Sequence, residues 1–250
     1  MFSPYERYSS RLATRFGQGF LFPLLKILLI AFLLHLFIFR IFVAAFQVES
    51  GSMLPALEQK DRLLVSPLLY GGRIPFLKNV RLPALRPPER GDIVVVESPA
   101  YVRPAFPWAA LEPPVRFLSL QRGSVVRDHT GRRTPPYLIK RVIAVPGDTV
   151  RMSGYVAYIQ AAGTRDFVPE QELLGSSFSI RTAKLPEGWT EEMPFSGSLD
   201  PLTLRTGEYF VLGDNRPDSS DSRSWGPVEG VRLLGKAFFR YWPVARGGRL

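Results

Sequence analysis

The stretch that most constrains this chain is ILLIAFLLHLFIFRIFVAAF, residues 27–46, twenty positions in which Arg40 is the only formal charge. At about 1.5 Å per residue, a helix of that length crosses a ~30 Å hydrocarbon core. Lys26 and Arg40 bracket its greasiest part, and both can snorkel toward opposite headgroup layers. Arg7, Arg11, Arg15 and Lys26 precede it, opposed only by Glu6. The excess of positive charge predicts a cytoplasmic segment at 1–20, a transmembrane anchor at 21–46 and everything from 47 to 250 outside. The run exceeds the ~7–15 residues of a cleaved signal peptide's apolar region, so the anchor is expected to stay. His35 reads as a neutral histidine facing lipid or a partner helix.

After the anchor the pattern changes. RLLVS (62–66), GDIVVVES (91–98), YLIKRVIAVPGDTV (137–150), GEYFVLGDN (207–215) and KAFFRYW (236–242) are rich in Val, Ile and aromatic residues and are bounded by turn formers. Such runs predict strands. The expected fold is mostly β, a single N-terminal transmembrane helix followed by a catalytic domain of antiparallel β-sheets. Two stretches read as insertions: a Pro-rich one at 99–136, and a smaller, peripheral β-rich subdomain at 154–206. Within the first, Phe106 and Trp108 are apolar enough either to pack on the β core or to dip into lipid.

Composition narrows the chemistry. The chain has no cysteine, which excludes disulfides and cysteine nucleophiles, and its two histidines, His35 and His129, have no ligand-like spacing. No metal and no cofactor is expected. The net charge of +10 fits a nucleic acid or an anionic membrane surface. The basic residues are scattered and no nucleic-acid-binding motif accompanies them, so the reading is a bilayer of anionic phospholipids and no nucleic acid.

Three short blocks carry polar residues of a kind that does chemistry. They are Ser50-Gly51-Ser52-Met53-Leu54-Pro55; Lys140-Arg141 before VIAVPGD; and GDNRPDSSDSRSWG (213–226). Singly, each is explained by a capped turn, a strand lysine or an Asx-rich turn. Together, in this order and behind an apolar run, they resemble the boxes of the type I signal peptidases, the bacterial leader peptidases. These are membrane-bound serine endopeptidases with a Ser-Lys dyad that cut signal peptides from exported preproteins after small residues. A serine hydroxyl needs an adjacent base, and a lysine serves only when its amine is neutral, a state that apolar burial favours.

The resemblance implies roles. Ser52 would be the nucleophile and Lys140 the general base, with the Ser52 N–H and the Ser50 hydroxyl forming the oxyanion hole. Ser219 would orient the lysine. Arg141, Asp214, Asn215, Asp221 and Arg223 would support the site, with Gly213 shaping the turn. Phe46–Glu49 and Tyr137–Lys140 would be the strands that bind substrate, Phe46, Val48, Tyr137 and Ile139 lining the pockets. Glu49 departs from the proline that many relatives carry. The implied partners are preprotein signal peptides and lipid, with no obligate protein partner, and the implied place is the bacterial inner membrane. The alternatives are a dedicated Ser-Lys maturation peptidase, a self-cleaving repressor-type peptidase, which would lack the anchor, and a catalytically silent membrane-anchored β-rich binding protein.

Overall fold

A computed structural model describes residues 22–35, 42–72, 81–99, Val115, 137–175, 178–183 and 197–250. The chain divides into two compact units, one of 1–38 with 104–127, the other of 39–103 with 128–250. In the first, residues 22–35 are helical. No helix among the described residues is long and apolar enough to cross a membrane. Phe106, Trp108 and the rest of the Pro-rich stretch, apart from Pro99 and Val115, lie outside the described residues.

The second unit is built of antiparallel strands, as the β-rich runs predict. Its larger sheet begins with β1 (Ala44–Gln47) and β2 (Arg62–Ser66). Ala44, Ala45 and Phe46, assigned above to the end of the anchor, instead pair with Val65, Leu64 and Leu63. An apolar run suits a half-buried strand as well as a lipid-facing helix, and hydropathy alone does not separate the two. In β2 the alternation is plain, with Leu63 and Val65 fully buried and their neighbours turned outward.

β3 (Ile93–Glu97) has no alternation because both of its faces are covered. Ile93 and Val95 pack into one cluster with Val48, Met53 and Leu57, and Val94 and Val96 into another with Tyr70, Val142 and Leu233. Each such side chain contributes roughly 1.5–3 kcal/mol when fully buried. The remaining strands of this sheet are β4 (Tyr137–Ala144), β9 (Glu208–Leu212), β10 (Val228–Glu229), β11 (Leu233–Trp242) and β12 (Gly248–Arg249). Their order is β1-β2-β11-β3-β4-β9-β10, with β12 on β11.

β4 changes neighbours along its length. Tyr137 to Arg141 pair with β3, whereas β9 pairs only with Arg141, Val142 and Ala144. The single run 137–150 then breaks at Pro146-Gly147-Asp148, where Asp148 accepts from the Val145 N–H at 2.9 Å and is gripped by Arg90. Gly147 supplies the positive φ of +89° that this turn needs. Beyond it the chain enters a second sheet, β5 (Thr149–Ser153), β6 (Val156–Gln160), β7 (Val168–Pro169) and β8 (Leu199–Thr203), ordered β7-β6-β5-β8. The smaller sheet therefore starts at Thr149, a few residues ahead of the 154–206 stretch. Val150, Met152, Ala157 and Ile159 join it to Ile143, Phe210 and Leu212 of the larger sheet in one core.

Candidate active site

β1 delivers the chain into a tight 3-10 turn, Gly51–Met53. Met53 is 1% exposed and pins this turn into the core beside Val48. Ser52, the next residue back, is buried at the surface of that core. Lys140 comes from the half of β4 that pairs with β3, opposite Val94. It is 2% exposed, yet its Nζ lies 2.9 Å from Ser52 Oγ and 3.1 Å from Ser219 Oγ. Eighty-eight residues apart in sequence, the two groups meet because a turn after one strand faces the side of another.

Burial pushes the Lys140 ammonium down from the ordinary 10.5 to about 8, and Arg223 acts in the same direction. Asp221, Asp214 and Asp218 pull the other way and lose to desolvation. The amine is thus neutral over an accessible range of pH, the state a base requires. Ser50 is exposed, and its hydroxyl donates to Ser52 Oγ at 3.1 Å.

The third block folds back over the dyad. Asn215 donates from its backbone N–H to the Ser52 carbonyl at 3.0 Å and from its side chain to the Gly51 carbonyl at 3.0 Å. Both bonds hold the backbone around Ser52. Asp214 is fully buried and takes two hydrogen bonds from Arg141, at 2.9 and 2.7 Å. Arg141 also reaches the Gly91 carbonyl and stacks its guanidinium over Phe178. Asp221 caps the short helix Ser222–Trp225 and binds Arg223 through both oxygens. Burial raises the Asp221 carboxyl, but Arg223, the Gly213 N–H and Ser219 outweigh it and leave it below the ordinary carboxylate value. Gly213 has no room for a side chain: a Cβ there would overlap Ser219 Oγ and approach the Ser52 carbonyl oxygen to 2.5 Å.

The two expected substrate strands also come together. β1 pairs with β2 alone, and Tyr137–Lys140 have β3 on one side and no strand on the other among the described residues. The rings of Phe46 and Tyr137 meet edge to face with centroids 5.6 Å apart. Val48 is interior to the core cluster, whereas Ile139 is half-buried against it. Ser52, Lys140 and Ser219 thus meet directly, with Ser50 and Asn215 against the 3-10 turn, while Phe46, Tyr137 and Ile139 pack with Val48 in the cluster that holds Met53. Two that were not named stand beside them: Arg216, within the third block, and Glu170, from the smaller sheet's unit. An arginine set between two turns already full of polar residues was a visible signal, while nothing near VPEQELL marked Glu170.

The sequence has counterparts. Residues 21–242 match the family described as signal peptidase, peptidase S26. The chain belongs to the signal peptidase family. The peptidase is 31% identical over 232 residues to a probable signal peptidase I-1 of Synechocystis sp., covering 91% of this chain and 84% of the relative. It is 30% identical to the signal peptidase I of Pseudomonas aeruginosa, covering 93% of this chain and 74% of the relative. A crystal structure of a signal peptidase I from Enterococcus faecalis aligns over 61% of this chain and 98% of its own, with 24% identity and a TM-score of 0.31. The peptidase is accordingly a hydrolase of the serine-peptidase kind that removes signal peptides.

Proposed function

We propose that Ser52 is the nucleophile of this endopeptidase and Lys140 its general base, acting on preproteins at the outer face of a bacterial inner membrane. One observation carries the assignment: a lysine shielded from water has its Nζ within 2.9 Å of a serine hydroxyl. With the amine neutral, Lys140 takes the Ser52 proton as Oγ attacks the carbonyl carbon of the scissile bond. The oxyanion is stabilised by the Ser52 N–H and the Ser50 hydroxyl, donors worth ~2.7–4 kcal/mol in comparable sites. Lys140 then passes its proton to the leaving amine, and the amide bond breaks to leave an ester on Ser52. Water, deprotonated by the same lysine, hydrolyses that ester and frees the enzyme.

Ser219 orients the amine, while Arg141, Asp214, Asn215, Asp221 and Arg223 keep the surrounding turns in place. The end of the signal peptide adds as an extended segment between Phe46–Glu49 and Tyr137–Lys140, with main-chain hydrogen bonds giving affinity. Phe46, Val48, Tyr137 and Ile139 restrict the pockets to small side chains. The apolar run that ends before β1 anchors the enzyme, residues 1–20 stay in the cytoplasm, and residues 47–250 form the peptidase domain outside. Arg7, Arg11, Arg15 and Lys26 favour anionic lipid.

Cleavage of a preprotein by the detergent-solubilised protein, mapped by mass spectrometry, tests this reading. Ser52→Ala and Lys140→Arg should both be inactive, the second because guanidinium does not deprotonate near neutral pH. Substantial cleavage by Lys140→Arg would remove the lysine from its role as base.

A further inference from the structure

We propose that Arg216 is a positioning residue for Lys140, through which the smaller sheet fixes the protonation and placement of the base. The inference rests on Lys140 acting as that base. Arg216 is 1% exposed and Glu170 fully buried. The guanidinium donates to both Glu170 oxygens, at 2.6 and 2.5 Å, to the Tyr155 carbonyl at 2.7 Å and to the Gly213 carbonyl at 2.9 Å. Glu170 Oε1 also accepts from the Ala157 N–H on β6 at 2.9 Å. Tyr155 sits at a φ of +70°, where bulky residues rarely go, with its carbonyl on Arg216.

From Arg216 two short routes lead to the lysine. Gly213, whose carbonyl Arg216 holds, is the residue with no space between Ser219 and the Ser52 backbone. A small displacement of Gly213 therefore moves both partners of the Nζ. The other route runs through the Arg216 carbonyl, which accepts from Arg223 Nη2 at 2.7 Å. Arg223 in turn pairs with Asp221, and Asp221 accepts from the Gly213 N–H at 3.0 Å. Releasing Arg216 loosens the turn over Lys140, admits water and lets the ammonium relax toward its ordinary value.

Arg216→Met combined with Glu170→Gln tests this, because removing both charges leaves no uncompensated ion in the interior. The readout is the titration of ¹³C-labelled lysine Cε in the full chain in detergent, Lys140 being assigned by its loss in Lys140→Met. Beside it, kcat and KM for a short peptide are measured against pH. The parent midpoint is expected at about 8. In the folded double variant it should rise by about one pH unit, so that kcat at neutral pH falls about tenfold and recovers in alkali, with KM little changed. Arg216→Lys, which keeps the charge but not the four-bond fork, should move the midpoint the same way and serves if the double variant does not fold. A control pair, Arg90→Met with Asp148→Asn, removes an ion pair with a buried aspartate at the β4–β5 turn and should lower Tm without moving the midpoint. A folded double or lysine variant with the parent midpoint overturns the proposal, as does a control that shifts it equally. Failure of the underlying reading is a separate result: a parent kcat profile that does not follow the Lys140 titration.

Discussion

Replacing Lys140 by methionine should make the protein inactive and, at neutral pH, more stable. Methionine matches the length of the aliphatic stem and needs no hydration. The fall from 10.5 to about 8 means that holding the charged ammonium in the folded protein costs about 3 kcal/mol below that pH. Against this, the substitution removes hydrogen bonds to Ser52 and Ser219, each worth about 1 kcal/mol. The variant should thus gain about 1 kcal/mol near neutrality. Between about 8 and 10.5 the unfolded lysine keeps its proton while the folded one has lost it. The unfolded state then binds more protons, so the parent's stability rises with pH across this window and the variant's advantage reverses. Urea unfolding of the two proteins side by side, followed by tryptophan fluorescence over a pH series, reads the difference and cancels every other titrating group. A difference that stays constant from neutral pH to beyond pH 10 would refute the desolvation argument, and with it the reason the amine is available as a base.

Ser50→Ala should lower kcat by roughly 10²–10³-fold with KM little changed, since the hydroxyl is felt mainly in the transition state; an equal rise in KM instead would assign it to substrate binding. Ser219→Ala should lower kcat and displace the midpoint of the pH–rate profile, because its hydroxyl bonds the Lys140 amine at 3.1 Å; a parent-like rate and profile would show that another group orients the amine. Gly213→Ala should cost about 1–3 kcal/mol in urea unfolding and also reduce kcat, as the added methyl meets both Ser219 and the Ser52 carbonyl. Parent-like kinetics in that variant would mean that the turn yields without disturbing the dyad.

Strands marked by β-rich composition between turn formers were legible: RLLVS is β2 to the residue, and the core of GDIVVVES is β3. The residues that meet at Lys140 were named from sequence too, through the resemblance carried by three short polar blocks behind an apolar run. What escaped was set by long-range packing. Ala44–Phe46 continue the apolar run and differ from it only in having β2 beside them. The stretch 137–150 has one β-like composition throughout, but the Asp148 turn sends its two ends into different sheets. Glu170 was invisible because a buried glutamate looks like any surface glutamate until its arginine arrives from another element.

Within the larger sheet, β2 and β3 do not pair; β11 lies between them. The strands beside Ser52 and the strands beside Lys140 are therefore bridged within the sheet by a segment that follows Lys140 by almost a hundred residues. The 2.9 Å contact of hydroxyl and amine thus sits in a sheet whose central strand, Leu233–Trp242, comes from far along the chain. Such non-local closure is slow to form.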